Sequence, residues 1–493
     1  MWPLIIFVLL LLVFKDVVEK PESYPPGPPL MPFIGNLLSL WLSLKKLKYH
    51  HSVWQDWAKK YGNILGLRFG STNVVVVSGK DMIREVSSRE VFDGRPNGFF
   101  YLLRSFNKKL GLVFSDGATW TKTRRMVLKS LRVFGYGSRS MEANISEECN
   151  ALIDMRMADA GVPVVVNHMF DVCIVNILWK LVAGKRYDLA NEQLKILCDL
   201  ITRSFKVVDM SGGILNFLPF LRHVIPNLIG YTELRAIHDS LYDFLRTTVE
   251  EHQKTIDARK PRDVIDMFLI EMNSKKSDFS TEELLVICLD LLEAGVETVS
   301  NTAVFMLLHV VRNPEVQKKL QYEIDVEVGY SRRPTLSDRS KMVYTEAVLL
   351  ESLRISSVAA VGIPHMALED AKLGNYTIPK DTFVLLAIHD LHNGEHWKDA
   401  ASFRPERFLT KEGNLIQDEW LMPFGSGKRR CIGEGLARSE LFMFLTNLLQ
   451  SFNLKVPEED PLPSTEPIDG VTLSAKEFRV VFEPRNIRHK STY

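Results

Sequence analysis

Apolar residues recur at helical spacing through most of the chain, most clearly over residues 281–312, 314–326 and 339–354. Strand-like patterns are short. Residues 64–69 and 73–78 are β-branched runs flanking Gly70-Ser71-Thr72 and predict a hairpin, and 382–388 and 478–482 predict further strands. The pattern predicts a mainly α fold with a minor β region. The 281–312 helix is apolar nearly all round, so it is either a membrane span or the buried axis of a large protein. Asp290, Glu293 and Glu297 at its centre argue against lipid and for the buried axis.

That helix also carries candidate chemistry. Asp290, Ala294 and Thr298 are spaced by four and share one face, with Glu297 beside it. Gly295 allows close approach of another group. Thr298 is placed to bond back to the carbonyl of Ala294 and bend the helix, opening a groove.

The N-terminus differs from the rest. Residues 2–14 are uninterrupted apolar residues, followed by Lys15 and Asp16. At ~1.5 Å per residue the run covers about 20 Å, short of a hydrocarbon core of ~30 Å unless Val17 and Val18 extend it and Lys15 snorkels. No small-residue cleavage site follows, so residues 1–20 are expected to be an uncleaved membrane signal anchor. Lysines follow the run and none precedes it, which keeps the bulk of the chain cytosolic. Residues 21–35, with Pro25-Pro-Gly-Pro-Pro29, read as a stiff extended linker. Residues 36–493 show no repeat or second linker and are expected to form one catalytic domain.

Charge and cysteine usage narrow the function. Lysine plus arginine total 61 against 60 acidic residues, so no basic footprint for nucleic acid is present. The five cysteines form no C-x-x-C pair and their count is odd, which argues against a disulfide framework. One of them has informative neighbours: Phe424-Gly-Ser-Gly427-Lys-Arg429-Arg-Cys431-Ile-Gly433. Gly427 and Gly433 let backbone approach the sulfur, and an apolar helix starts just beyond, where free N–H groups stabilise a thiolate. Gly425-Ser-Gly427-Lys428 is no phosphate loop, because Arg429 stands where Ser or Thr must bind magnesium. Gly433-Glu-Gly435 lacks the third glycine of a dinucleotide fingerprint, and no second cysteine or histidine is spaced for zinc.

The order Phe-x-x-Gly-x-Arg-x-Cys-x-Gly resembles the haem-binding loop of the cytochrome P450 superfamily at every fixed position. The rest of the chain is similar to its microsomal animal branch. The resemblance implies the cytochrome P450 fold, a single large helix-rich haem domain. It implies heme b (iron protoporphyrin IX) with Cys431 as the metal ligand and Phe424 in the binding loop. Arg429, Trp120 and Arg124, with Arg95 and His365, would meet the propionates, whose buried acids need cationic donors. Ala294 would lie at the cofactor, and Glu297 with Thr298 would be the catalytic acid–alcohol pair that relays protons to dioxygen. Glu351, Arg354 and Arg407 would close a buried triad behind the haem.

The same resemblance implies a monooxygenase inserting one oxygen atom of O2 into a lipophilic substrate. Electrons would come from NADPH through a separate NADPH-cytochrome P450 reductase, at the endoplasmic reticulum membrane, with the catalytic domain on the cytosolic face. Lys428 and Arg430 are candidate reductase contacts. Phe-Asp-Gly-Arg-Pro-Asn-Gly-Phe-Phe over 92–100 looks insect-like, and epoxidation of methyl farnesoate to juvenile hormone is the sharpest expectation. Hydroxylation of steroids, fatty acids or xenobiotics is the alternative. A reductase-independent haem-thiolate isomerase would need no Glu297–Thr298 relay, and a non-enzymatic carrier would need no haem. Apolar pocket walls are expected from Phe99, Phe100, Leu102, Leu103, Phe106, Val113 and Phe114, and from 358–363 and 471–473, with no charge to anchor an ionised substrate. The apolar stretch 214–221 either dips into membrane or packs internally.

Overall fold

A computed structural model describes residues 21–274 and 278–485. The expected anchor, residues 1–20, lies outside them. No helix among the described residues is long and apolar enough to cross a membrane.

The helix Thr281–Arg312 is the axis of the molecule, capped at its start by the Ser280 hydroxyl, which accepts from the Glu283 N–H. It is apolar on every side because helices pack on every side: Asp171–Ala183, Tyr231–Thr255, Val343–Ser356 and Glu434–Ser451 all contact it. Pro314 opens the next helix, Pro314–Glu327, where a missing N–H costs nothing. The helix expected from residue 339 begins only at Val343. The residues before it are held in turns by Asp338, which accepts two bonds of 2.6 Å from the Arg332 guanidinium and one of 2.9 Å from the Thr335 N–H.

The four predicted strands form within a residue or two of the expected bounds, and further short strands join them. Ile64–Phe69 and Thr72–Val77 form the hairpin, with Ile64 opposite Val77 and Phe69 opposite Thr72. Phe383–Leu386 adds to it in parallel, Val74 beside Phe383, and His365–Met366 closes the sheet. A second sheet joins Pro163–Val165, Arg479–Pro484 and Phe452–Lys455. One large core fills the space among the helices, and a second lies beneath the hairpin sheet around Trp54, Trp57, Phe69 and Phe383.

The proline-rich stretch is docked on the hairpin rather than held free of it. The buried Tyr24 hydroxyl lies 3.1 Å from the Leu67 carbonyl and 2.9 Å from that of Val74. The Gly66 N–H donates to Pro26 O, and a Cβ on Gly66 would lie 2.3 Å from Pro25 O. The 214–221 stretch divides. Leu215 and Phe217 are buried in the second core, while Ile214 and Phe220 face outward.

Candidate active site

Cys431 ends a loop that glycine alone permits. Gly427 has φ +68°, and a Cβ there would lie 1.8 Å from the Ser87 carbonyl oxygen, so the loop presses directly on the helix Lys80–Ser88. The Cys431 N–H donates to Phe424 O at 3.0 Å, closing the loop. Gly433 then caps the helix Glu434–Ser451, where free N–H groups converge. Burial pushes the Cys431 thiol above its ordinary value. The N–H groups of Gly433 and Glu434 and the Arg124 charge pull it back, and the Glu434 carboxylate opposes them. The other four cysteines are buried and unpaired.

Around the cavity that Cys431 faces stands a set of cations. Arg429 donates to Asp93 O at 2.6 Å and Ser115 O at 3.0 Å, while its Nη1 is buried without a partner among the described residues. Trp120 lies between two guanidiniums, Arg429 at 3.9 Å and Arg124 at 5.3 Å from the ring centroid. Arg95 is buried and held by the carbonyls of Val113, Ile363 and Pro364. Burial and the neighbouring Arg429 lower its pKa to about 9, and burial with the Arg124 charge brings Arg429 to about 10 against the pull of Asp93 and Asp116. His365 is buried with Nδ1 2.7 Å from Phe92 O; burial and the Arg95 charge lower its pKa to about 3, so the ring stays neutral until an anion faces it. An unpartnered guanidinium nitrogen, clustered cations and a thiol across one cavity fit a flat, dianionic, metal-bearing macrocycle.

The opposite wall comes from the central helix. Thr298 Oγ1 donates to Ala294 O at 2.8 Å, and Thr302 repeats the bond to Thr298 O. Ala294, Thr298 and Asp290 all line the cavity, as their shared face predicts. Glu297 does not. Its carboxylate accepts from Thr202 at 2.8 Å and from Asn301 at 2.9 Å, buried between helices, and burial raises its pKa. Of the residues expected at the site, Arg95, Trp120, Arg124, Ala294, Thr298, His365, Phe424, Arg429 and Cys431 share one cavity of about 410 Å³.

Phe100, Val113 and Phe114 line it too, with most of 358–363 and with Val471 and Thr472, whereas Phe99, Leu102, Leu103, Phe106 and Leu473 do not. The expectation of an uncharged pocket is corrected. Arg104, Asp290, Glu293 and His238 are on the wall, with Arg104 2.6 Å from each carboxylate. Asp290 and Glu293, an i,i+3 pair in an apolar helix, signal a buried cation, but nothing in the sequence says that Arg104 supplies it. Behind the site, Glu351 takes Arg354 Nε at 2.7 Å and Nη2 at 2.9 Å and Arg407 Nε at 3.0 Å, all three side chains buried.

A family model described as cytochrome P450 matches residues 25–482. The chain is 63% identical to a protein named farnesoate epoxidase from Bombyx mori, over 98% of this chain and 99% of that one. It is 35% identical to probable cytochrome P450 305a1 of Drosophila melanogaster over 95% of each. It is 34% identical to cytochrome P450 2B19 of Mus musculus over 97% of each. With the family model spanning nearly the whole chain and the cysteine loop, cation set and helical wall meeting at one cavity, the chain belongs to the cytochrome P450 family.

Proposed function

We propose that this haem-thiolate monooxygenase epoxidises methyl farnesoate to juvenile hormone. The observation that carries the substrate is the 63% identity, along 98% of the chain, to a protein named farnesoate epoxidase. Haem, which Cys431 would hold, would supply the oxygen-atom chemistry. The side chains do the rest. Cys431 binds the metal through Sγ, steadied by the Gly433 and Glu434 N–H groups. Arg429, through its unpartnered Nη1, would take a haem carboxylate, joined by Arg95, His365, Trp120 and Arg124, and Ala294 and Phe424 would line the cofactor's cavity.

Thr298 lines the cavity with its hydroxyl oxygen, and its proton, held on Ala294 O, becomes available when the hydroxyl rotates away from that carbonyl. Glu297, facing Thr202 and Asn301, reaches that wall only by rotating its side chain, so Thr298 is the immediate donor and Glu297 the acid behind it. Burial keeps the Glu297 proton on more readily than on an ordinary carboxylate, which suits a proton source.

Electrons come from NADPH through a separate NADPH-cytochrome P450 reductase, and the protein sits at the endoplasmic reticulum membrane with its catalytic domain in the cytosol. Exposed apolar side chains support contact with lipid: Phe33, Trp41 and Leu42 near the start, Phe220 in the 214–221 stretch, and Val224 and Leu228 just after it. Both segments pack their inner faces on the same core beneath the hairpin sheet. Incubation with reductase, NADPH and a panel of terpenoids and steroids, read by mass spectrometry, tests the reading. The expected product is the terminal epoxide of methyl farnesoate; turnover of steroids with the ester untouched refutes it.

A further inference from the structure

One flank of the cavity is closed by two segments far apart in the chain. Phe205 and Met210 line it from the end of the helix Glu192–Lys206, and Val471 and Thr472 line it from the turn before the strand Ser474–Ala475. The two meet backbone to backbone. The Val471 N–H donates to Phe205 O at 2.7 Å, and a Cβ on Gly470 would lie 2.5 Å from that same oxygen, so the close approach needs glycine. Bridging this seam is His50, the first residue of the helix His50–Tyr61. Its Nδ1 lies 2.8 Å from Asp469 Oδ2, its backbone N–H donates to the same oxygen at 3.1 Å, and its Nε2 faces Asp209 Oδ2 across 3.6 Å. Asp209 directly precedes Met210, and Asp469 stands two residues before Val471. One ring therefore joins both edges of the seam next to side chains that wall the cavity.

We propose that His50 is a latch on the cavity: clasping Asp209 and Asp469, it holds the Met210 segment against the 469–472 turn, and lipophilic ligands pass where the two part. Parting them breaks the Val471–Phe205 bond and the clasp, while Leu473, whose N–H donates to Val358 O at 2.9 Å, anchors the turn from behind. A closed flank keeps water from the reacting carbon, and its opening limits how fast product leaves. The neighbouring charges keep the latch shut near neutral pH. Burial opposes the His50 charge, but Asp209 and Asp469 hold its pKa at about 9. His51 beside it is neutral, burial lowering its pKa to about 4, and its ring stacks on Tyr49 and His389. Glu466 is taken up by Lys476 at 2.6 Å and Lys48 at 3.9 Å. Below that pKa a cation separates the two carboxylates; above it they face each other across a neutral ring and repel. The latch acts on any lipophilic ligand and is independent of the farnesoid reading.

A latch moves rates and spares affinity, which separates it from a structural contact. Full-length holoenzyme is mixed in stopped flow with 4-phenylimidazole, followed by the haem spectral shift, and with carbon monoxide, which is small enough to enter a closed cavity. In His50→Gln at about pH 7 the azole's association and dissociation rates are each expected to rise at least about fivefold, with Kd within about twofold and carbon monoxide binding at the parental rate. In the parent both azole rates are expected to climb by a similar factor between about pH 7 and about pH 10, and in His50→Gln to stay flat. Lys476→Gln, which changes a nearby charge outside the clasp, is expected to match the parent at about pH 7. Amide exchange of Val471 is expected to quicken in His50→Gln. Azole rates within about twofold of the parent overturn the latch. So does a faster dissociation alone with weaker binding, or an equal change for carbon monoxide, which are the marks of a merely structural role. Should His50→Gln fail to retain haem, the parent's own pH series decides: azole rates that stay flat across it overturn the latch.

Discussion

Replacing Glu351 with alanine removes the carboxylate that bridges two buried guanidiniums, Arg354 and Arg407. In the folded chain that carboxylate accepts from Arg354 twice, from Arg407, and from the Arg404 N–H at 2.9 Å. Arg354 is completely buried, and the Arg407 side chain is 5% exposed. Without Glu351 the two cations repel each other where water cannot screen them. Breaking one member of such a buried set costs about 3–5 kcal/mol. Arg354 keeps the carbonyls of His392 and Ala400, and Arg407 keeps those of Lys398 and Ser402. These surviving bonds place the expected loss near the lower figure, about 3 kcal/mol, still a large part of a typical stability of about 5–15 kcal/mol. The damage is local as well. Arg354 lies in the last turn of Val343–Ser356, and the residues directly after that helix wall the cavity. Glu351→Ala is therefore expected to accumulate as protein with little or no haem. The assay is the carbon monoxide difference spectrum per mole of protein, paired with a urea midpoint. Normal haem content with an unchanged midpoint would refute the argument that this triad holds the scaffold.

Other expectations follow from single residues. Cys431→Ser should abolish the carbon monoxide Soret shift of thiolate coordination and all turnover; retained turnover would remove the basis of the proposed chemistry. Gly427→Ala should cost at least about 1–2 kcal/mol for the left-handed conformation alone, plus a collision with Ser87 O, and should show as reduced haem retention and a lower thermal midpoint. His50 gives a pH dependence. Burial lowers its pKa, but Asp209 and Asp469 more than reverse this and raise it to about 9. Folding therefore favours the protonated ring, a stabilisation full below about pH 6.5 and lost as pH rises through the folded value, worth about 3 kcal/mol. Urea midpoints on either side of that window should diverge in the parent and converge in His50→Gln; a parent midpoint independent of pH would be the contrary result.

The two parts of the molecule were legible to different degrees, for physical reasons. Helical period and a full apolar circumference placed the axis at 281–312, because a helix packed on all sides has no polar face to disguise it. The hairpin and the Cys431 loop were equally readable, since glycine at a left-handed position and β-branched runs about a turn are local signals, although the second strand starts one residue early, at Thr72. The start of Val343–Ser356 was misplaced because the turns around Asp338 are made by side chains rather than by period. Orientation around the central helix was harder. Thr298 shares the cavity-lining face with Asp290 and Ala294, as their spacing predicts, but Glu297, one residue away, turns to Thr202 on another helix. The Arg104 cluster was missed altogether. Its members lie 186 and 189 residues apart in sequence, and only the tertiary fold brings a lone arginine in an apolar stretch to two lone acids in an apolar helix.

The docking of the proline stretch has a mechanical consequence. Through Tyr24, Pro26 and the pairing of Asn36 with Pro28 and Arg68, the segment is riveted to the hairpin at several points. A load applied at residue 21 is transmitted straight into the sheet that also carries His365, instead of being absorbed by slack chain. Orientation imposed on the N-terminal end is thus orientation imposed on the catalytic cavity. Deleting residues up to 35 would strip a cover from the hairpin and tilt the strand that carries His365, not merely untie a tether.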